Sequence, residues 1–247
     1  MDSNVGNCDS KENLFEINRR VTACQICPRL SEHIKLVSSN RPKRYGNDLY
    51  WARPVPSFGD ASARLLIIGL APAAHGGNRT GRMFTGDSSG DWVAKALFQT
   101  GFASSSISRC MNDGFALKDA YITAVVRCAP PQNRPTSLEI ANCAHYLRSE
   151  LDLLDNTVKV IVALGHIAFQ TYCKLVGSTA IRFQHGGKFN IKGNKVLLSS
   201  DHPSRQNTNT GRLTWEMWIQ IFQTARMILD SQDYNSRTDE VPSKSIK

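Results

Sequence analysis

Two groups of residues in this sequence have the types and spacing for chemistry. The first is built from thiols: Cys24 and Cys27 form a C-x-x-C, and Cys128 and Cys143 follow later in the chain. A C-x-x-C lets two thiolates of one turn converge on a metal, and two more from elsewhere complete a four-thiolate site, which zinc and a 4Fe-4S cluster both accept. The competing use is packing, since cysteine is often a small core residue, and that suits Cys143 within a helix and Cys128 after a strand equally well. Cys8, Cys110 and Cys173 have no spaced partner and are left aside.

The second group lies in two loops. Residues 69–87 read GLAPAAHGGNRTGRMFTGD, which matches neither a P-loop nor a G-x-G-x-x-G fingerprint. Its small residues let backbone approach a flat ligand, Phe84 offers a ring for stacking, and Asp87 is its one carboxylate. Asp87 has two readings, a catalytic carboxylate or the cap of a helix starting in FTGDSSGDW. His75 is either a site residue or a loop cap. Residues 200–214, SDHPSRQNTNTGRLT, place His202 at the head of a polar, turn-forming segment with two arginines.

Both loops begin where a strand should end. Apolar runs at residues 64–70, 121–126, 158–164 and 195–200 are continuous rather than alternating, as strands buried on both faces are. A helix after Pro135 is announced by the Thr136/Glu139 capping box and by Ile140, Ala144, Leu147, Leu151 and Leu154 at helical spacing. A last helix from Thr214 to about Leu229 carries Trp215, Trp218, Ile219, Phe222 and Met227 as core. Strands alternating with helices predict an α/β fold, a three-layer α/β/α sandwich around a four-stranded mostly parallel sheet, with ligands at the carboxyl ends of the strands. One domain over residues 19–230 is expected, between polar tails at 1–18 and 231–247.

Thirty lysines and arginines against 21 acidic residues suit a protein that meets a polyanion, although charge alone does not identify one. No apolar run approaches the length of a membrane helix, and MDSNVGNCDSKEN lacks a signal-like apolar core, so a cytoplasmic protein, nucleoid-associated when on DNA, is expected. In that compartment seven cysteines argue against a disulfide framework.

The GLAPA and HPS motifs at the ends of the first and last strands, the Phe84 loop, VVRCAPPQNRP at residues 125–135 and the order of the cysteines together resemble family 5, the B-type, of the uracil-DNA glycosylases. The resemblance runs from about Cys24 to about Ala225. It implies the three-layer fold, a structural 4Fe-4S cluster on Cys24, Cys27, Cys128 and Cys143, and an enzyme acting on double-stranded, or also single-stranded, DNA. With no lysine in the two site loops a monofunctional enzyme is expected, and a monomer is expected of an enzyme that must close on DNA. It places Gly69, Ala71, Ala73, His75, Phe84 and Ala124 around the extruded base, with Phe84 stacking on it. It gives Asp87, Asn133 and His202 catalytic roles: Asp87 at the water, Asn133 orienting water or base, His202 stabilising the leaving base. Ser204, Arg205, Gln206 and Asn207 fall in the DNA-binding loop, Gln206 and Asn207 as wedge candidates.

Physical chemistry supports that assignment of roles. A base in a duplex must be flipped out to be reached, at less cost where it is mispaired. Breaking the N-glycosidic bond puts positive charge on the sugar and negative charge on the base, so a donor at the base and an acceptor at water are both needed. Ala71 and Ala124 stand where strict uracil enzymes carry polar residues, so hypoxanthine and xanthine are expected as further substrates. Three rivals are weaker. A metal-dependent hydrolase would gather His75, Asp87, Asp201 and His202 but lacks an i, i+4 ligand pair. An acyl hydrolase lacks G-x-S-x-G. A non-catalytic damaged-DNA-binding protein with the same cluster would have dispensed with Asp87, Asn133 or His202.

Overall fold

The computed structural model describes residues 5–239, with side chains from 13 to 231. The strands are β1 (Phe58–Gly59), β2 (Leu65–Gly69), β3 (Ala120–Ala124), β4 (Val160–Leu164), β5 (Lys188–Ile191) and β6 (Lys195–Ser200), joined in one sheet in the order β1-β3-β2-β4-β6-β5. β3, β2, β4 and β6 are parallel and correspond to the four apolar runs. The expected count of four is corrected to six, because β1 and β5 add antiparallel edges. Both escape the buried-run signal: β1 has two residues and β5 alternates exposed and half-buried side chains.

The helices are α1 (Val5–Thr22), α2 (Pro28–Ser39), α3 (Gly77–Thr80), α4 (Ser88–Gln99), α5 (Ser137–Leu153), α6 (His166–Leu175), α7 (Arg205–Asn209) and α8 (Trp215–Asp239). On one face of the sheet Leu65, Ile67, Val160 and Val162 pack with α4 and α8; on the other, Leu66, Ile68, Ile161 and Ala163 pack with α1, α5 and α6. Covered on both sides, the central strands are buried at every position, which makes their apolar runs continuous. The capping box forms as expected, Glu139 N donating to Thr136 Oγ1 at 3.2 Å and Thr136 N to Glu139 Oε2 at 2.7 Å.

Helices occupy part of both segments expected as tails. α1 begins at Val5, and its Leu14, Ile17 and Val21 are buried against the α5 side of the core. Their i, i+3, i+7 spacing makes a narrow apolar stripe, flanked by the charged Glu16, Arg19 and Arg20. At the other end α8 continues to Asp239; residues 1–4 and 240–247, where the remaining tails were expected, lie outside the described residues. Among the described residues no helix is long and apolar enough to cross a membrane.

Candidate active site and cysteine cavity

The parallel ladder continues past the ends of β2 and β3, Val125 N donating to Gly69 O and Val126 N to Leu70 O. Ala124, buried at the end of β3, therefore stands in register with Gly69. The chain after Gly69 turns through Ala71 and Ala73 to His75, and Ala73 O accepts from both Gly76 N and Asn78 N. Gly69 is required by what lies above it: a Cβ there would come within 2.8 Å of Phe84 Cζ. Phe84 thus covers the end of β2, and its ring lies 5.9 Å from the His202 ring at 31°.

Phe84 has φ of 49°, an unfavourable region for a bulky residue, so its surroundings must hold it there. Arg82 does much of this. Its buried guanidinium donates to Thr85 Oγ1 (3.0 Å), Ser108 Oγ (2.8 Å), Met111 O (3.1 Å) and both oxygens of Asp113 (2.7 and 2.9 Å). Against this guanidinium and three backbone N–H donors, the Asp113 carboxyl is held down at about 2 despite partial burial.

Asp87 caps α4, accepting from Gly90 N at 2.8 Å. Its second oxygen lies so close to Gly76 that a Cβ on that residue would collide with it, which explains a glycine there. Burial raises the Asp87 carboxyl above its ordinary value, with backbone N–H donors opposing, and no cation forms an ion pair with it among the described residues. A carboxylate so placed is a stronger base than one in water. The two readings of Asp87 prove compatible, since one oxygen caps the helix and the other faces the His75 loop.

His202 is half-buried, and desolvation pushes its pKa down to about 4. It is therefore neutral at physiological pH, with one N–H to donate. Asn207 Nδ2 donates to His202 O at 2.8 Å, Ser204 caps α7, and Ser89 Oγ donates to Pro203 O at 2.9 Å, fixing the HPS turn against the start of α4. Asn207 is thus a brace for His202, while Arg205 and Gln206 are exposed. His75 Nδ1 lies 2.9 Å from Tyr50 Oη; burial, then Arg44 and Arg79, lowers its pKa.

The structure so brings Gly69, His75, Phe84, Asp87 and His202 to one end of the sheet. Asn133 stands apart: it is exposed, with φ of 57°, and among the described residues no hydrogen bond or ring contact joins it to Phe84, Asp87 or His202. The set a metal-dependent hydrolase would use is not gathered, because among the described residues no three His, Cys, Asp or Glu side chains are placed to hold a single metal ion.

Cys24, Cys27, Cys128 and Cys143 line one cavity, together with Leu30 and Tyr146. Cys27 is the N-cap of α2, with Pro28 opening the helix, and Asn142 Nδ2 lies 3.6 Å from Cys27 Sγ. Arg29 pairs with Glu139 at 2.8 Å and so ties α2 to α5 across the cavity. Burial, with mutual repulsion from the other three, raises the Cys128 thiol, and burial pushes Cys143 up to about 11. Arg127 also lines the cavity. Its side chain is 1% exposed, one nitrogen bonds Glu150 Oε2 at 2.5 Å, another bonds Ser57 Oγ, and Nε has no partner among the described residues. The sequence reading assigned no role to Arg82 or Arg127; each stands inside a quoted motif, but a single sequence does not reveal that an arginine is buried.

Residues 56–226 match the Uracil DNA glycosylase superfamily. A type-5 uracil-DNA glycosylase of Pyrobaculum aerophilum is 46% identical over 85% of this chain and 90% of its own length. That of Thermus thermophilus is 46% identical over 84% of this chain and 94% of its own. A type-4 enzyme of Thermotoga maritima is 29% identical over 79% of this chain. With matches of this extent, the chain belongs to the uracil DNA glycosylase superfamily and, within it, to the type-5 family.

Proposed function

We propose that the protein is a monofunctional glycosylase that flips a deaminated base out of DNA and hydrolyses its N-glycosidic bond, taking uracil first and hypoxanthine and xanthine as well. The observation that carries this reading is that Phe84, whose ring lies 5.9 Å from that of the half-buried, neutral His202, shares one end of the sheet with Asp87, a carboxylate raised by burial and without an ion pair among the described residues. Phe84 stacks on the extruded base. Neutral His202 donates its N–H to the base as negative charge develops there, and Asp87 accepts a proton from the water that attacks the sugar carbon. Asn133, exposed on its 3-10 turn, reaches the site only by movement of that turn with DNA bound. Ala124, with no amide to sort one carbonyl pattern from another, underlies the broader substrate range.

Cys24, Cys27, Cys128 and Cys143 fit a 4Fe-4S cluster. They surround a shared cavity without three meeting at one point, and the Arg127 Nε left without a partner beside them suits a negatively charged group. When bound, the cluster braces α1, α2 and α5 and leaves no open coordination position for reaction chemistry.

Alkaline strand cleavage of a labelled duplex holding one G:U pair tests the reading. The wild type should cleave, and Asp87→Asn should slow the single-turnover rate by roughly 10²–10⁴-fold, the range for a lost general base. A folded, brown wild type inert on uracil, hypoxanthine and xanthine would return the protein to damage binding without catalysis. Iron and sulfide analysis checks the cluster, whose content should vanish in Cys143→Ala.

A further inference from the structure

We propose that residues 41–53 form a second DNA-gripping arm, which holds phosphates of the strand flanking the flipped nucleotide. The segment reads RPKRYGNDLYWAR, with four cationic side chains, Arg41, Lys43, Arg44 and Arg53, against one carboxylate, Asp48. Asp48 is already neutralised by Arg79 at 2.7 Å. The four cations are exposed and form no ion pair among the described residues. Three of them instead lie near aromatic rings of the same segment: Arg44 is 4.7 Å from the Tyr45 centroid, Arg53 is 5.8 Å from Trp51 and Arg41 is 6.0 Å from Tyr50. An arginine resting on a ring keeps its N–H groups available for a phosphate.

The arm has a fixed place. Tyr50 Oη bonds His75 Nδ1, Trp51 N donates to Arg79 O at 3.0 Å, and Arg79 reaches on to Gly86 O at 2.8 Å, immediately before Asp87. At the residue after Asp87, Arg205 Nε of α7 donates to Ser88 Oγ at 3.2 Å. The residues immediately before and after Asp87 are thus each bonded by an arginine, one of them tied to the 41–53 segment. Duplex DNA carries a phosphate charge about every 1.7 Å of axis, so exposed cations anchored this near the site are placed to meet it. Leu49, 92% exposed, stands on the same arm.

The proposal takes its polymer from the glycosylase reading, but its test needs no catalysis. Binding is measured by fluorescence anisotropy on a duplex bearing a tetrahydrofuran abasic analogue opposite guanine, across a series of KCl concentrations. Lys43→Ser/Arg44→Ser/Arg53→Ser should flatten the slope of log K against log[salt] by about 2–3 and weaken binding roughly 10²-fold at low salt, at about 0.9 of slope per phosphate lost. The charge-matched Lys174→Ser/Lys188→Ser/Lys192→Ser variant, on exposed positions elsewhere, should keep the wild-type slope. Should the triple arm variant fold poorly, Lys43→Ser alone should lower the slope by about 1. Equal slopes for the arm and control variants would overturn the proposal. An inert wild type whose binding slope still depends on the arm would sink the catalytic reading and keep the arm.

Discussion

Buried charge is handled in opposite ways at two places in this molecule. Beside the cysteine cavity, Arg127 and Glu150 are 1% and 0% exposed and are joined directly, with Thr123 donating to Glu150 at 2.5 Å and Ser57 bonding Arg127. At the carboxyl ends of β2 and β6, Asp87 accepts from backbone N–H donors, and among the described residues neither it nor His202 has an ion-pair partner. A buried charge held directly against an opposite one has its ionisation fixed and serves shape. An uncompensated one keeps an unused capacity to take or give a proton, and that capacity is what a reacting centre needs. On the proposed function, the electrostatics that hold the protein together are separate from those that would act on DNA.

The comparison breaks most visibly if the buried ion pair is halved. Arg127→Met leaves Glu150 buried without its cation and should cost about 3–5 kcal/mol in chemical denaturation, whereas Arg127→Met with Glu150→Leu should recover most of it. Equal losses in the single and double variants would mean that the pair does not act as a unit. The next effect belongs to His202. Its folded pKa of about 4 lies below the ordinary 6.5, so the unfolded chain takes up a proton first as pH falls. Stability should therefore decline between pH 6.5 and 4 by at most about 3 kcal/mol from this group, and His202→Gln should flatten that part of the curve. Parallel curves for the two proteins would contradict the burial of a neutral ring.

Asp87→Asn should have the smallest effect on stability. The raised carboxyl costs stability once pH exceeds its folded pKa, and asparagine caps helices as well as aspartate does, so at pH 7 the variant should be as stable as wild type or slightly more, within about 1 kcal/mol. A loss beyond that would make Asp87 a structural residue first.

What the sequence made legible follows the same division. The parallel core was readable because strands covered on both faces leave continuous apolar runs, and the Thr136 box because capping is a local bond between neighbours. Phe84, Asp87 and His202 could be named as candidates because they stand in short motifs that follow strands. α1 was missed at its start because only Leu14, Ile17 and Val21 face the core, a stripe diluted by charged neighbours. The arginines Arg82 and Arg127 were missed because their burial depends on partners far along the chain, Asp113 and Glu150. Asn133 shows the converse: a motif names the residue, but where its side chain reaches depends on a turn that the free protein leaves exposed.

The ion pair between Arg29 and Glu139 spans 110 residues of chain, and Cys24 and Cys143 are separated still further. A ribosome adding about 5–20 residues per second makes the first two helices roughly 6–20 s before α5 exists to receive them. During that interval Leu14, Ile17, Val21 and the first two thiols are exposed to the cell, open to chaperones, oxidants and stray metal. The segment of α1 and α2, made well before α5, is therefore secured late, and whatever fills the cysteine cavity must arrive after Cys143 has been synthesised.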